Sequence, residues 1–195
     1  DGAAGKLAKV SITGGTVTGT LSNKVYNKPG DADKAKATIE VTGGTFDIDP
    51  SKYVTEAAVM TENEDGTFGV AKTPLATVGD KSYYTMEEAF QAQKNGEAIV
   101  LLRDYTTASK FNSGSINRVV DLNGHTWTYT GTDMNEAAFE INYSNATLTV
   151  KNGKIISNSL VGLIPSAMKG TITYDNARLV FEGVYMTSNG SSGIE

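Results

Sequence analysis

A short pattern of apolar and polar positions around a glycine recurs along this chain. Between Val120 and Trp127, apolar residues stand four and two positions before Gly124 and three positions after it. The same pattern fits three other segments: Val10, Ile12, Gly14, Val17; Ile39, Val41, Gly43, Phe46; and Leu179, Phe181, Gly183, Met186. A fifth copy has one extra residue before its glycine: Leu148, Val150, Gly153, Ile156. Successive glycines are 29 or 30 residues apart, except across one long break between Gly43 and Gly124. A near-constant period of this length indicates stacked supersecondary units.

The alternation on either side of the glycine predicts a strand, a bend and a second strand, each with one buried face. Such a unit cannot bury its apolar face alone, so each copy must stack on the next. The sequence therefore predicts an all-β protein, a right-handed parallel β-helix. A β-sandwich built from hairpins is the alternative, because Thr42-Gly43-Gly44-Thr45 is compatible with a tight turn.

One segment has the pattern of a helix. Thr85 and Glu88 have the spacing of a capping box, and Met86, Ala89 and Phe90 fall on one face of the segment that follows. We expect a short helix over residues 85–94 that covers the apolar end of the solenoid. The run 99–102, Ile-Val-Leu-Leu, predicts a strand buried on both faces.

Turn-forming residues divide the rest of the chain. Asp65-Gly66 predicts a hairpin turn, and residues 77–84 predict a second short hairpin. The acidic residues around the first turn lack the twelve-residue spacing of a calcium loop, so we interpret them as a solvated turn and expect no metal there. The stretch 71–76, which contains Pro74, is the expected boundary. It separates the end of one β-helical unit with its hairpin, residues 1–72, from a helix-capped β-helical unit, residues 75–195.

Composition narrows the classes of function. The chain has 195 residues, a formal net charge of −5 and an isoelectric point near 5.0, which does not fit a nucleic-acid-binding surface. It has no cysteine, so disulfides and thiolate metal sites are excluded. No apolar run reaches the roughly 20 residues of a membrane span, so we expect no membrane insertion. No cofactor is expected, and further domains are expected on either side.

Several motifs carry a resemblance to a known class of protein. They are Val41-Thr-Gly-Gly-Thr-Phe46, Asp49-Pro-Ser-Lys-Tyr-Val54, Glu62-Asn-Glu-Asp-Gly-Thr-Phe68, and Tyr84-Thr-Met-Glu-Glu-Ala-Phe90 running into Ile99-Val-Leu-Leu-Arg-Asp104. These resemble modules of large repetitive cell-surface proteins of gut Firmicutes, which are similar to the pectate-lyase-like β-helix superfamily. The resemblance implies a β-helix in a secreted or cell-wall-attached bacterial protein and identifies no activity.

Enzymes of that superfamily degrade polysaccharides with carboxylates on adjacent coils. The repeat places Ser11, Glu40, Asp121, Val180 and Thr149 at one outward position, and Thr13, Thr42, Asn123, Glu182 and Asn152 at another. No two acids are neighbours at either position. We therefore expect no catalytic residues, although a third strand or the loops would still have room for a site.

Single residues offer weaker indications of chemistry. His125 is the only histidine, but it has no nucleophile or acid at a recognisable spacing. Trp127 occupies a position that other copies fill with core residues, so we predict that it is buried. Arg118 and Arg178 precede equivalent repeats, and we interpret them as stacking or ion-pairing residues at the edge of a coil.

Tyrosines outside the predicted core positions are the expected ligand-binding residues: Tyr129, Tyr143 and Tyr185, with Tyr174 in the same class. Aromatic rings stack well on apolar or sugar faces. These features favour a non-catalytic surface adhesin or binding module that recognises a host or dietary glycan or glycoprotein. A polysaccharide lyase or glycoside hydrolase, and a structural stalk of a larger surface protein, are the alternatives.

Overall fold

The computed structural model of the protein describes residues 9–23, 38–133, 136–164 and 175–188. Within these residues the protein is mostly β with one short α-helix, and its stacked parallel strands form a β-solenoid. This confirms the predicted parallel β-helix over the alternative sandwich of hairpins. The chain divides into two compact units, Asp1–Pro74 and Leu75–Glu195.

The first unit contains a four-stranded sheet in the order β1-β2-β4-β3. Its strands are β1 (Lys9–Val17), β2 (Thr38–Phe46), β3 (Ala58–Glu62) and β4 (Phe68–Lys72), with a 3₁₀ turn at Ser51–Tyr53. β1 and β2 are parallel, with Val10 opposite Ile39 and Val17 opposite Phe46. The 29-residue period of the sequence is therefore the length of one coil here. β3 and β4 form the antiparallel hairpin predicted at Asp65-Gly66.

The second unit builds each coil from three walls of parallel strands. Its strands are β5 (Ala76–Val78), β6 (Lys81–Tyr83), β7 (Ala98–Leu101), β8 (Tyr105–Thr107), β9 (Phe111–Asn112), β10 (Arg118–Asp121), β11 (Thr126–Tyr129), β12 (Ala137–Glu140), β13 (Thr147–Ser157), β14 (Leu160–Leu163) and β15 (Arg178–Ser188). The first wall stacks β7, β10 and the first halves of β13 and β15. The second stacks β8, β11 and the second halves of β13 and β15, and the third stacks β9, β12 and β14.

The register between two coils differs from the alignment of the repeat. Val120 lies opposite Val150, not opposite Leu148, and Trp127 lies opposite Ile155, not Ile156. The cause is a turn at residues 122–125, where Asn123 and Gly124 have positive φ, whereas β13 runs through the equivalent place as one strand. The extra length therefore belongs to the coil of β10 and β11, and Ile155 is the buried core residue of the next coil.

The interior of the second unit is a continuous apolar core. Leu122 and Trp127 are buried, as the repeat predicts. The Trp127 ring contacts Tyr105 and Phe139, with centroids 4.7 and 4.8 Å apart. The expectation that residues 99–102 are buried on both faces is wrong. Ile99 and Leu101 are buried, but Leu102 is 41% exposed, because only one face of a solenoid wall points inward.

The helix α1 (Met86–Ala92) begins with the predicted capping box. The Thr85 side chain accepts a hydrogen bond from the Glu88 backbone, and the Glu88 side chain accepts one from the Thr85 backbone. Met86 and Ala89 join the core that contains Ile99, and the Phe90 ring packs edge-on against Phe111 at 5.4 Å. This confirms the helix as a cover for apolar surface. No helix in the described ranges is long and apolar enough to cross a membrane.

Candidate functional site

Tyr129 is not a surface residue. It is completely buried, so the expectation of an exposed ring is wrong for this tyrosine. Side chains on β11 alternate, and because Trp127 points inward, Tyr129 does too. Its neighbour on the next coil is the small Ser157, which leaves room for the ring. Tyr129 therefore cannot serve as a stacking platform for an external ligand.

Tyr143 and Tyr185 are exposed, by 48% and 65% respectively. Tyr143 lies between β12 and β13, whereas Tyr185 lies on β15 in the second wall. The two rings therefore belong to different stretches of the coil and do not form one platform. Tyr174 lies outside the described residues. A binding role for Tyr143 and Tyr185 stays a prediction.

Tyr185 stands on a regular outward surface. Thr126, Lys154 and Tyr185 follow one another in register across three coils, and the Lys154 Nζ atom lies 5.7 Å from the centre of the Tyr185 ring. A parallel row carries Thr106, Thr128, Ile156 and Thr187. We call these two rows the Tyr185 face. It offers an aromatic ring, an ammonium group and hydroxyls at the spacing of adjacent strands, about 4.8 Å.

The outward row of the first wall carries charges of alternating sign. Asp121, Lys151 and Glu182 are in-register neighbours, and Lys151 Nζ lies 3.6 Å from Asp121 Oδ2. The Asn152 side chain donates to both oxygens of Asp121, at 3.1 and 3.2 Å. Since a lysine separates the two acids, this row has no stacked pair of carboxylates of the kind a hydrolase uses.

Two glutamates do meet in a place that the repeat did not indicate. Lys110 Nζ lies 3.0 Å from Glu136 Oε1 and 3.1 Å from Glu140 Oε2, and Glu140 is buried. The Tyr129 hydroxyl donates to Glu136 at 3.3 Å. We call these four residues the Lys110 cluster. Sequence reasoning missed it because its three charged members come from loops and from the third wall, outside the repeated pattern.

The electrostatics of the Lys110 cluster favour a stable ion pair. Burial raises the pKa of Tyr129, and the nearby Glu136 carboxylate raises it further, so the phenol stays neutral. Burial by itself lowers the pKa of Lys110, but its hydrogen bonds to Glu136 and Glu140 outweigh this and raise it. The ammonium therefore stays charged between the two carboxylates. This arrangement is better suited to holding the loop of Lys110 against β12 than to transferring protons.

His125 has a carboxylate neighbour, Asp104, with Nδ1 and Oδ1 3.5 Å apart. Asp104 also accepts a hydrogen bond from the Thr126 backbone at 2.9 Å. The His125 side chain is about one third exposed and Asp104 is largely exposed. Among the described contacts no nucleophilic hydroxyl joins this pair, so its geometry is that of a surface contact rather than of a catalytic triad.

The first unit contains an open groove of about 400 Å³ on its sheet. Its lining residues are Gly14, Gly15, Gly44, Thr45, Val59, Thr61, Gly69, Val70 and Ala71. We call it the glycine groove. The repeat gave no indication of it, because the β3–β4 hairpin supplies one side of its lining.

Two surfaces stand out in the described residues: the Tyr185 face in the second unit, which carries an exposed aromatic ring, and the open glycine groove in the first. Within the described ranges, no three His, Cys, Asp or Glu residues come together in a group that would hold a metal ion. Comparison of the chain with protein-family models, with curated proteins and with solved structures finds no match.

Proposed function

We propose that this chain is a non-catalytic binding module that recognises a glycan or glycoprotein through the Tyr185 face. The observation that carries the proposal is the Tyr185 ring, which is 65% exposed on β15 and follows Thr126 and Lys154 in register. An exposed aromatic ring flanked by polar groups is the usual anchor of a recognition surface.

The neighbours of Tyr185 suit a sugar polymer. One face of a pyranose ring is apolar and stacks on an aromatic ring, while its hydroxyls bond to polar groups at the rim. Lys154 lies beside the Tyr185 ring, and Thr187 is on the same strand. Because the coils repeat at the spacing of adjacent strands, the Tyr185 face is extended along the solenoid. Such a surface fits several units of an unbranched chain.

The biological setting is part of the same proposal. The resemblance to repetitive surface modules favours a bacterial protein that is secreted or attached to the cell wall, with host or dietary glycans as ligands. The solenoid would also act as a rigid spacer between a ligand and further domains. Tyr143, at 48% exposure, is a second anchor only if the ligand also reaches the loop before β13.

An enzyme of the β-helix class is less consistent with the acids that the structure describes. Glu136 and Glu140 both contact Lys110, whose ammonium lies between their carboxylates. A hydrolase needs one protonated and one free carboxylate on either side of the scissile bond. Release of reducing or unsaturated sugar from any polysaccharide would overturn the non-catalytic proposal.

The test is binding to an array of glycans and host glycoproteins, followed by Tyr185→Ala. We expect the variant to bind about tenfold more weakly, the equivalent of about 1.4 kcal/mol, since it removes a stacking anchor. Tyr185→Phe keeps the ring and should bind within about twofold of the wild type if stacking is the dominant contact. Because the side chain is exposed, neither change should alter the melting temperature.

Tyr143→Ala, made in parallel, separates the two exposed tyrosines. A ligand that binds both Tyr185→Ala and Tyr143→Ala as tightly as the wild type would remove these residues from the interface. A chain that binds nothing on the array would contradict the proposed function itself.

A further inference from the structure

Two lysines on β13 differ in their surroundings. Lys151 and Lys154 both lie on the outer surface of this strand. Lys151 Nζ lies 3.6 Å from Asp121 Oδ2, so its charge has a partner. Lys154 has no carboxylate partner among the residues that the structure describes, and its Nζ atom lies 5.7 Å from the centre of the Tyr185 ring instead. The Tyr185 face therefore carries a positive charge that no described acid neutralises.

The contact with Tyr185 does not replace a counter-ion. An ammonium over an exposed aromatic ring gains only about 0.5–1 kcal/mol, and the attraction ends at about 6 Å from the ring centre. The distance of 5.7 Å is close to that limit. Lys154 is half-buried, so its charge is also less hydrated than that of a fully exposed lysine. Because a poorly hydrated charge without a partner is unfavourable, this position favours an anion supplied by a ligand.

The opposite end of the same row carries the opposite charge. The Asp104 side chain accepts a hydrogen bond from the Thr126 backbone at 2.9 Å, and Thr126 is the in-register neighbour of Lys154. Asp104 and Lys154 are therefore about two strand spacings apart, roughly 10 Å. An anionic group is repelled at the Asp104 end and attracted at the Lys154 end. The row thus defines where on the Tyr185 face an anion binds.

We propose that the Tyr185 face selects a sugar that carries a carboxylate or sulfate group, with the sugar ring on Tyr185 and the anion against Lys154. This inference rests on the proposed function and adds the charge of the ligand to it. A charged sugar uses both the aromatic ring and the ammonium beside it, whereas a neutral sugar stacks on the ring alone. The charged sugar should therefore bind more tightly.

The net charge of the whole chain does not oppose this selection at close range. The chain carries a formal charge of −5, but at physiological salt charges farther away than about 8 Å are largely screened. The attraction between Lys154 and a bound anion acts over a shorter distance than that.

The experiment compares matched pairs of glycans on the array. The charged probes are 3′-sialyllactose and a hyaluronan hexasaccharide, which carry carboxylates, and a chondroitin sulfate hexasaccharide, which adds sulfates. Each is measured beside a neutral form in which the carboxylates are methyl esters and the sulfates are removed. We expect at least one charged probe to bind about tenfold more tightly than its neutral form, and the probes that do so identify the anion.

Two other outcomes are distinguishable. Binding that is equal or tighter for the neutral forms, or that is confined to neutral glycans elsewhere on the array, would overturn the selection of an anion and leave the proposed function standing. An array without any binding, these pairs included, would overturn the proposed function and this inference together.

Lys154→Gln tests the ammonium, and Lys151→Gln is its matched control on the same strand. Lys154→Gln should bind the charged probe about tenfold more weakly and the neutral form within about twofold of the wild type. Lys151→Gln should keep the preference for the charged probe within about twofold, because Asp121 already neutralises Lys151. Lys154→Arg keeps the charge and should keep the preference. An unchanged preference in a folded Lys154→Gln would refute the inference.

The salt dependence of the wild type gives the same test without a variant. Between about 0.05 M and about 0.5 M NaCl, the affinity for the charged probe should fall by about fivefold or more, since salt screens a charge pair at the surface. The affinity for the neutral form should change by less than about twofold. Equal salt dependence of the two forms would contradict a role for Lys154, even if Lys154→Gln fails to fold.

Discussion

Replacing Leu122 with aspartate is expected to lower the free energy of unfolding by about 4 kcal/mol or more. Leu122 is completely buried. Its side chain lies so close to the next coil that a Cβ at Gly153 would be 2.5 Å from the Leu122 Cβ. A carboxylate at this place would lose its hydration and find only apolar neighbours, which is among the few single changes with effects of this size.

Leu102→Asp is the matched control on the preceding coil. Leu102 is 41% exposed, so a carboxylate there stays hydrated and should change stability by less than about 1 kcal/mol. Urea unfolding followed by circular dichroism measures both variants. Equal stability of Leu122→Asp and the wild type would show that this position does not face the interior.

The second large effect is expected at Arg118. Its guanidinium lies 3.6 Å from the centre of the Phe90 ring. It donates to the Ser113 carbonyl at 2.6 Å, to the Phe90 carbonyl at 3.2 Å and to the Gln93 side chain at 2.8 Å. Burial lowers the pKa of Arg118, but an arginine still keeps its charge at neutral pH. Arg118 therefore ties the helix α1 to the coil that begins at β10.

Arg118→Ala is expected to cost about 3 kcal/mol, because it removes charged hydrogen bonds and a ring contact together and leaves buried carbonyls unpaired. Arg178→Ala is the control, since Arg178 opens the equivalent segment of β15 but is exposed, and it should change stability by no more than about 0.5 kcal/mol. Arg118→Lys keeps the charge without the planar fork and should fall between the two. A melting temperature of Arg118→Ala equal to that of Arg178→Ala would contradict the inference that Arg118 holds helix α1 against the coil that begins at β10.

The architecture could be predicted from the sequence because the repeat specifies both the strands within one coil and the offset between neighbouring coils. The spacing of Gly14 and Gly43 equals the offset between Val10 and Ile39 in the parallel ladder. The helix was equally clear, since Thr85 and Glu88 form the capping box that their spacing indicates. In these places local preference and tertiary packing favour the same structure.

The failures have identifiable physical causes. The alternation that places Trp127 inside also places Tyr129 inside, so the pattern already contained the burial of this tyrosine. The register of Val120 was misplaced because a turn can absorb extra residues in either of two coils, and sequence alone does not show which. Here the turn at Asn123, with φ of 49°, absorbs them.

The Lys110 cluster and the glycine groove were not predictable in the same way. Lys110 and Glu136 are 26 positions apart in segments that carry no repeat, and the contact depends on how the loops close the coils. The groove depends on the hairpin of β3 and β4 folding beside β2. Both arise from packing between segments rather than from the pattern within one.

Neighbouring coils stack in parallel and in register, and the Tyr185 face exists only because they do. The chain has no cysteine, so a pair of introduced thiols reports on one contact alone. Thr128 and Ile156 are in-register neighbours on the second wall. Adjacent parallel strands are about 4.8 Å apart, within the range that a disulfide spans.

The measurement is disulfide formation under mild oxidation in the double variant Thr128→Cys with Ile156→Cys, compared with Thr128→Cys with Lys154→Cys. The second pair is displaced by two residues along the same strand, which places the thiols roughly 8 Å apart, beyond the reach of a disulfide. Parallel stacking in register predicts that the first pair forms the bond in most molecules and that the second stays reduced. Equal oxidation of both pairs, or preferential oxidation of the displaced pair, would contradict it.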